Sequence, residues 1–159
     1  MNVREIEVEL ADGTSTTLGA IAKGPILVVN VASKCGLTPQ YTALEALQKR
    51  YGAQGFTVLG VPSNQFLQEP GDLEQIQTFC STTYGVTFPL TVKSKVNGRS
   101  RSALYAALTK TKDSMGLAGP VMWNFEKFLV RKDGSVVRFR PKTVPDDAVV
   151  ISAIEADLA

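Results

Sequence analysis

The chain of 159 residues has no histidine and only two cysteines, Cys35 and Cys80. Without histidine there can be no Ser-His-Asp triad and no Cys-His pair. Most transition-metal sites are excluded too, because two isolated cysteines cannot fill a tetrahedral zinc shell. No metal and no cofactor is expected. An excess of one charge is also missing. Seventeen Lys and Arg against fifteen Asp and Glu leave a formal net charge of +2, with no basic block. That is too little to argue for nucleic acid or for an anionic membrane surface. No apolar stretch approaches a membrane span, and Met1-Asn2-Val3-Arg4-Glu5 lacks the apolar core of a signal peptide. The expected compartment is the cytoplasm, where thiols are kept reduced. Two cysteines there are redox partners or inert singles rather than a structural staple.

The length and a hydrophobic content of 44% support a single domain, 1–159, with its own core. Ile6, Val8 and Leu10 alternate with Glu5, Glu7 and Glu9, and Asp12-Gly13 supplies a turn, so residues 4 to 18 read as a β-hairpin. The apolar run 26 to 32 reads as a buried strand, and Phe56 to Val61 as a second one. Between them, Tyr41, Leu44, Leu47 and Tyr51 recur at helical spacing, with Glu45, Gln48, Lys49 and Arg50 mostly on the other face. Strand–helix–strand in this order gives a parallel pair with a right-handed crossover.

Thr38-Pro39 reads as a helix N-cap followed by proline at the first helical position. Cys35 therefore belongs in the turn between strand end and helix start. Free backbone N–H groups and the helix dipole favour negative charge there, and Lys34 adds a neighbouring cation. Such a cysteine is a candidate nucleophile. The polar loop 62 to 71 leaves the second strand at the same carboxyl edge of the sheet.

Asp72 reads as the N-cap of a helix reaching about Thr82, with Leu73, Ile76, Phe79 and Cys80 on its apolar side. Val86 to Lys95 reads as extended and Ser102 to Lys112 as helical. Trp123 to Val130 reads as a strand, paired through the Asp133-Gly134 turn with Val136 to Phe139. Pro145 to Leu158 closes the chain as a helix with Val149, Ile151, Ile154 and Leu158 apolar. The fold class is α/β, a mixed central sheet with helices on both faces and an N-terminal β-hairpin. A parallel half followed by an antiparallel hairpin is the thioredoxin architecture.

Four stretches then match one family. Asn-Val-Ala-Ser-Lys-Cys-Gly at 30 to 36, Asn-Gln-Phe at 64 to 66 with Gln-Glu-Pro-Gly at 68 to 71, Tyr-Gly-Val-Thr-Phe-Pro at 84 to 89, and Trp-Asn-Phe-Glu-Lys-Phe-Leu-Val at 123 to 130 resemble the glutathione peroxidases. The resemblance implies a thioredoxin fold and a peroxidase that reduces hydrogen peroxide and organic hydroperoxides. It implies Cys35 as the attacking residue, with Gln68, Trp123 and Asn124 completing a catalytic tetrad of uncharged donors. Members commonly carry two residues between the Phe and the Gln-Glu-Pro-Gly, whereas here only Leu67 stands there, and Gln65 is an alternative to Gln68. Ser63 occupies a position that often holds a further cysteine. The segment before Trp123 lacks the long insertion of the tetrameric animal selenoenzymes, which implies a monomer.

Phe79-Cys80 resembles the position of the resolving cysteine in the thioredoxin-dependent, non-selenium branch. The implied cycle oxidises Cys35 to a sulfenic acid, which Cys80 converts to a disulfide that thioredoxin reduces. A disulfide requires Cα atoms within about 7 Å, so the Cys80 helix is expected to unwind in part. The alternatives are a glutathione-dependent peroxidase with Cys80 idle, or a peroxide sensor that relays oxidation to a partner protein.

Overall fold

The computed structural model describes residues 2–159. Glu7–Glu9 (β1) and Ser15–Thr17 (β2) form the N-terminal hairpin, followed by one short helix, Leu18–Ile21 (α1). The main sheet is built from Ile26–Val31 (β3), Thr57–Pro62 (β4), Lys127–Val130 (β5) and Val136–Phe139 (β6), in the order β4-β3-β5-β6. β3 runs parallel to β4 and antiparallel to β5, and β5 and β6 form the second hairpin. This is the thioredoxin arrangement expected from the sequence.

Alternation along β3 divides the core in two. Leu27, Val29 and Val31 pack with Gln40–Tyr51 (α2), Leu73–Tyr84 (α3) and Ala148–Leu158 (α5). Ile26 and Val28 face the opposite way, onto Ala103–Leu108 (α4) and the N-terminal hairpin. All six residues of β3 and of β4 are buried, as strands covered on both faces must be.

Several expectations are corrected. Trp123 to Glu126 is not strand: the ladder starts at Lys127, because Phe125 takes a left-handed φ of 62° and breaks the extended run. Residues 86 to 95 are extended but form no regular strand; they meet the sheets through isolated bridges at Leu90 and Thr91 and through the Val92 and Ser94 N–H groups, which donate to the Glu9 and Pro62 carbonyls. The fourth helix stops at Leu108, short of Lys112. The last helix begins at Ala148, after Asp147 caps the Val149 N–H with its side chain. Val149 is exposed, and Val150 and Ile154 fill the core instead. Glu45 is buried rather than solvated. Its carboxylate accepts the Thr87 N–H at 2.8 Å and the Thr87 hydroxyl at 2.6 Å, fastening α2 to the segment that follows α3.

A buried charge cluster closes the far side of the sheet. Arg138 donates Nε–H to Glu126 at 2.7 Å, and both side chains are fully buried. Arg140 reaches the same carboxylate at 3.1 Å and Asp113 at 2.9 Å, while Arg138 also donates to the Thr111 and Pro120 carbonyls. The cluster ties the 109 to 122 connection to β6. Removing one member strands a charge out of water. We expect Glu126→Ala to cost about 3–5 kcal/mol in urea unfolding, and Glu126→Leu combined with Arg138→Met to cost clearly less. Equal losses would show that the pair is solvated.

Candidate active site

β3 ends at Val31, and the chain turns through Ala32, Ser33 and Lys34 into Cys35. Thr38 does not cap α2. Its hydroxyl accepts the Cys35 N–H at 3.0 Å and donates to the Ala32 carbonyl at 2.9 Å, so it locks the cysteine turn onto the strand end. Pro39 holds the N-cap position in helical conformation with no side-chain cap. Tight bonds from Thr38, Gln40, Tyr41 and Thr42 to the carbonyls three residues earlier lead straight into the helix. Cys35 thus stands at the head of a continuous helical run, as its turn position predicts.

The Cys35 side chain is buried, and its sulfur is the target of two N–H donors. The Leu37 backbone N–H lies 3.3 Å away and the indole Nε1 of Trp123 lies 3.2 Å away. Both donors favour negative charge on the sulfur. The Lys34 side chain is exposed and lines a groove with Ser33 and Glu69. Its backbone N–H donates to the Gln68 carbonyl at 3.0 Å.

The shortened loop brings Gln68 into the site. Gln68 Oε1 accepts from Asn124 Nδ2 at 3.0 Å. Gln65 is engaged elsewhere, accepting from the Val96 and Asn97 N–H groups and donating to the Asn97 carbonyl. Leu67 makes the short connection with a left-handed φ of 59°, a conformation that costs a residue with a Cβ about 1–2 kcal/mol. Three bonds hold the loop against that strain: Leu67 N–H to the Asn64 carbonyl, Glu69 N–H to Asn64 Oδ1, and Ser33 N–H to Glu69 Oε1. Glu69 is buried, and burial raises its carboxyl above the usual range.

Trp123 and Asn124 are positioned by Asn30, a polar residue inside the apolar β3 run. Its side chain donates to the Trp123 carbonyl at 3.1 Å and accepts the Glu126 N–H at 3.1 Å, and its own carbonyl accepts the Phe125 N–H at 2.7 Å. Lys127, fully buried, adds a second clamp, with Nζ donating to the Phe125 carbonyl, the Pro141 carbonyl and Gln40 Oε1. Neither side chain was singled out by sequence reasoning. The available signal was a polar or charged residue within an apolar run, at Asn30 and at Lys127.

Cys80 lies apart from these donors. It is buried on α3, and its S–H donates to the Tyr41 hydroxyl at 3.4 Å. Burial pushes its thiol up, the Tyr41 hydrogen bond opposes this, and the nearby Glu69 carboxylate adds to the rise. Both cysteines are free thiols. The Cys80 carbonyl accepts from Gly85 and Val86, so Cys80 also takes part in closing the helix C-terminus.

With this geometry in view, residues 3–109 match the sequence model of the family described as glutathione peroxidase. The chain belongs to the glutathione peroxidase family. It is 47% identical to the thioredoxin/glutathione peroxidase BtuE of Escherichia coli strain K12, over 93% of this chain and 92% of that protein. It is 50% identical to the hydroperoxy fatty acid reductase Gpx2 of Synechocystis, over 92% and 93%. The glutathione peroxidase-like peroxiredoxin HYR1 of Saccharomyces cerevisiae is 54% identical over 76% of this chain and 75% of its own. The crystal structure of Trgpx in apo form superposes with a TM-score of 0.76 at 34% identity, covering 99% of this chain and 96% of that one. The protein is a cysteine-based peroxidase of this family.

Two predictions follow from the site. Trp123 is the one tryptophan, and its indole N–H lies against Cys35. One equivalent of peroxide should therefore change its fluorescence in the wild type and leave it unchanged in Cys35→Ser; equal responses would separate the indole from the sulfur. The second concerns Lys127, whose amine burial lowers to about 7 from the ordinary 10.5. Between those values the unfolded chain binds one more proton than the folded one, so stability rises with pH. Relative to Lys127→Met, the wild type should gain up to about 1.4 kcal/mol per pH unit above pH 7, measured by urea unfolding. A pH-independent difference would refute this.

Proposed function

We propose that the protein reduces hydroperoxides through Cys35, that Cys80 resolves the oxidised cysteine, and that thioredoxin recycles the disulfide. The single observation that carries the first step is the pair of N–H donors on the Cys35 sulfur at 3.2 and 3.3 Å. They suit a thiolate nucleophile in a site that has no histidine. The sulfur attacks the O–O bond and gains one oxygen, the distal oxygen leaves as alkoxide, and the thiol's proton ends on the alcohol. Trp123 supports the sulfur. Gln68 and Asn124 act as a hydrogen-bonded amide pair that presents uncharged donors to the peroxide and the developing charge.

Beside the site is an open cavity of about 620 Å³. Leu37, Met122, Trp123 and Pro141 give it an apolar lining, and Arg140 and Lys142 stand at it as cations. Such a surface suits a hydroperoxide with an acyl chain and an anionic end, in keeping with the printed name of the Synechocystis relative.

In the second step the Cys80 thiol displaces hydroxide from the Cys35 sulfenic acid. For this Cys80 must leave α3, and two features favour that motion. Only Ile76 and Cys80 are fully buried among its twelve residues, against six in α2. Phe79 and Tyr84 are only half-buried, packing on Tyr41, so α3 belongs among the less buried elements, from which local openings are drawn. The motion is bounded by the Asp72–Gln75 capping box on one side and by Thr87, held by Glu45, on the other. Thioredoxin then exchanges with the exposed disulfide. We place this cycle in a cytoplasmic, single-domain monomer. No helix among the described residues is long and apolar enough to cross a membrane.

The deciding experiment is turnover of Cys80→Ser with purified thioredoxin and its reductase. We expect loss of thioredoxin-supported turnover, with peroxide still oxidising Cys35, and mass spectrometry of the wild type should find a Cys35–Cys80 disulfide after one equivalent. Full retention of turnover would favour glutathione as reductant with Cys80 idle. A partner-trapping mixed disulfide in cells would favour the sensor.

A further inference from the structure

The geometry points to Glu69 as the proton carrier of the resolving step, a role that rests on Cys80 being the resolving thiol. The step has a proton requirement that the tetrad side chains do not meet. Cys80 must lose a proton to attack, and the hydroxyl leaving Cys35 must gain one to depart as water. Trp, Gln and Asn do not titrate in this range. A carboxyl can do both.

Glu69 lies where such a group is needed. It is 1% exposed. One carboxylate oxygen accepts the Ser33 N–H at 3.1 Å, two residues ahead of Cys35. The other, Oε2, is buried and has no hydrogen-bond partner among the described residues, and neither does the Ser33 hydroxyl. A buried acceptor left unpaired is unfavourable, so an arriving donor would be bound. Both residues line a groove of about 340 Å³ whose other wall is α3, through Gln75, Ile76 and Phe79. The groove therefore lies between the cysteine turn and the helix that carries Cys80. In the folded helix the Cys80 side chain lines a separate cavity with Val86 and Phe88, and the proposed opening of α3 would carry it across this groove past the unpaired carboxylate oxygen.

The ionisable groups facing Glu69 are consistent with a base. Burial raises the Glu69 carboxyl; the Ser33 hydroxyl and N–H and, more weakly, Lys93 from the 86 to 95 segment draw it down, and Lys34 borders the same groove from the cysteine turn. Tyr41 on α2 and Cys80 on α3 are pushed up chiefly by burial, and the Glu69 charge adds a smaller rise to each. In the resting state burial above all holds the Cys80 thiol up, and the Glu69 carboxylate acts in the same direction. Once α3 opens, Oε2 takes the proton from the Cys80 S–H. The sulfur attacks Cys35 Sγ, the S–O bond breaks, and the same proton leaves on the hydroxide as water. One S–S bond forms, and no outside oxidant or reductant is required.

The test follows the two steps separately after one equivalent of hydrogen peroxide. Trp123 fluorescence reports Cys35 oxidation, and acid quench with mass spectrometry reports the disulfide. In Glu69→Gln the ratio of disulfide formation to Cys35 oxidation should fall at least tenfold, and Glu69→Asp should recover a measurable part of it. In the wild type, disulfide formation should rise with pH through an inflection above the ordinary carboxylate range and below that of the thiol, and Glu69→Gln should lack it. An unchanged ratio, a parallel fall in both steps, or a wild-type profile that is flat below the thiol range would each overturn the assignment. The wild-type profile decides the matter even if the Gln variant does not fold. A wild type that forms no Cys35–Cys80 disulfide would remove the resolving step itself. A disulfide that forms with no dependence on Glu69 would remove only the proton role.

Discussion

The site depends on the side chain and carbonyl of Asn30. β3 and the 123 to 126 turn are more than ninety residues apart in sequence, and nothing local makes them meet. Asn30 fixes their meeting with three hydrogen bonds, to the Trp123 carbonyl, the Phe125 N–H and the Glu126 N–H. A buried amide is costly unless satisfied, and here it is satisfied only when that turn is in place. The same bonds hold Phe125 in its left-handed conformation, which ends the strand and turns the indole toward the sulfur. Lys127 supports the turn from below through the Phe125 carbonyl and reaches Gln40 at the start of α2. The indole, its turn and the helix that follows Cys35 therefore form one hydrogen-bonded unit.

A second constraint comes from the missing histidine. Negative charge on the Cys35 sulfur has no imidazolium to meet it, and the groups seen to touch the sulfur are N–H donors at the head of a helical run. Such donors act only at close range and good alignment. The backbone around Cys35 is accordingly tightly bonded. Thr38 holds the Cys35 N–H, Gln68 holds the Lys34 N–H, and Glu69 holds the Ser33 N–H. Each residue from 33 to 35 thus has its amide fixed by a different partner, two of them on the shortened loop. The strain at Leu67 is the cost of that short connection.

The fold was largely legible, because it rests on periodicity. The buried β3 and β4 runs, the alternating N-terminal hairpin and the helical spacing in α2 all appear in the pattern of apolar residues. Cys35 was legible from its place between strand and proline. The departures have two causes. Thr38 carries a helix-cap signal but spends its hydroxyl on the neighbouring cysteine turn, at Cys35 and Ala32, whereas Glu45 and residues 123 to 126 have long-range partners that override local preference. Thr87 lies 42 residues from Glu45 and Asn30 lies 93 from Trp123, and no window of sequence contains both members. The bond between Gln68 and Asn124, 56 residues apart, was beyond spacing arguments for the same reason. There the family pattern supplied what periodicity could not.

These constraints distribute stability unevenly. The cysteine turn is anchored on every side, while α3 is held by two buried side chains, the half-buried Phe79 and Tyr84 against Tyr41, a capping box and a glycine-closed end. Its neighbours are firmer: Glu45 grips Thr87 just past the helix, and Lys93 donates to the Gly71 carbonyl just before it. A helix weak in its middle and fastened at both flanks can open without detaching the chain on either side. The proposed cycle makes two opposite mechanical demands, rigid presentation of Cys35 and local release of Cys80. The molecule meets them by placing its buried polar links around one cysteine and at the borders of the segment that carries the other.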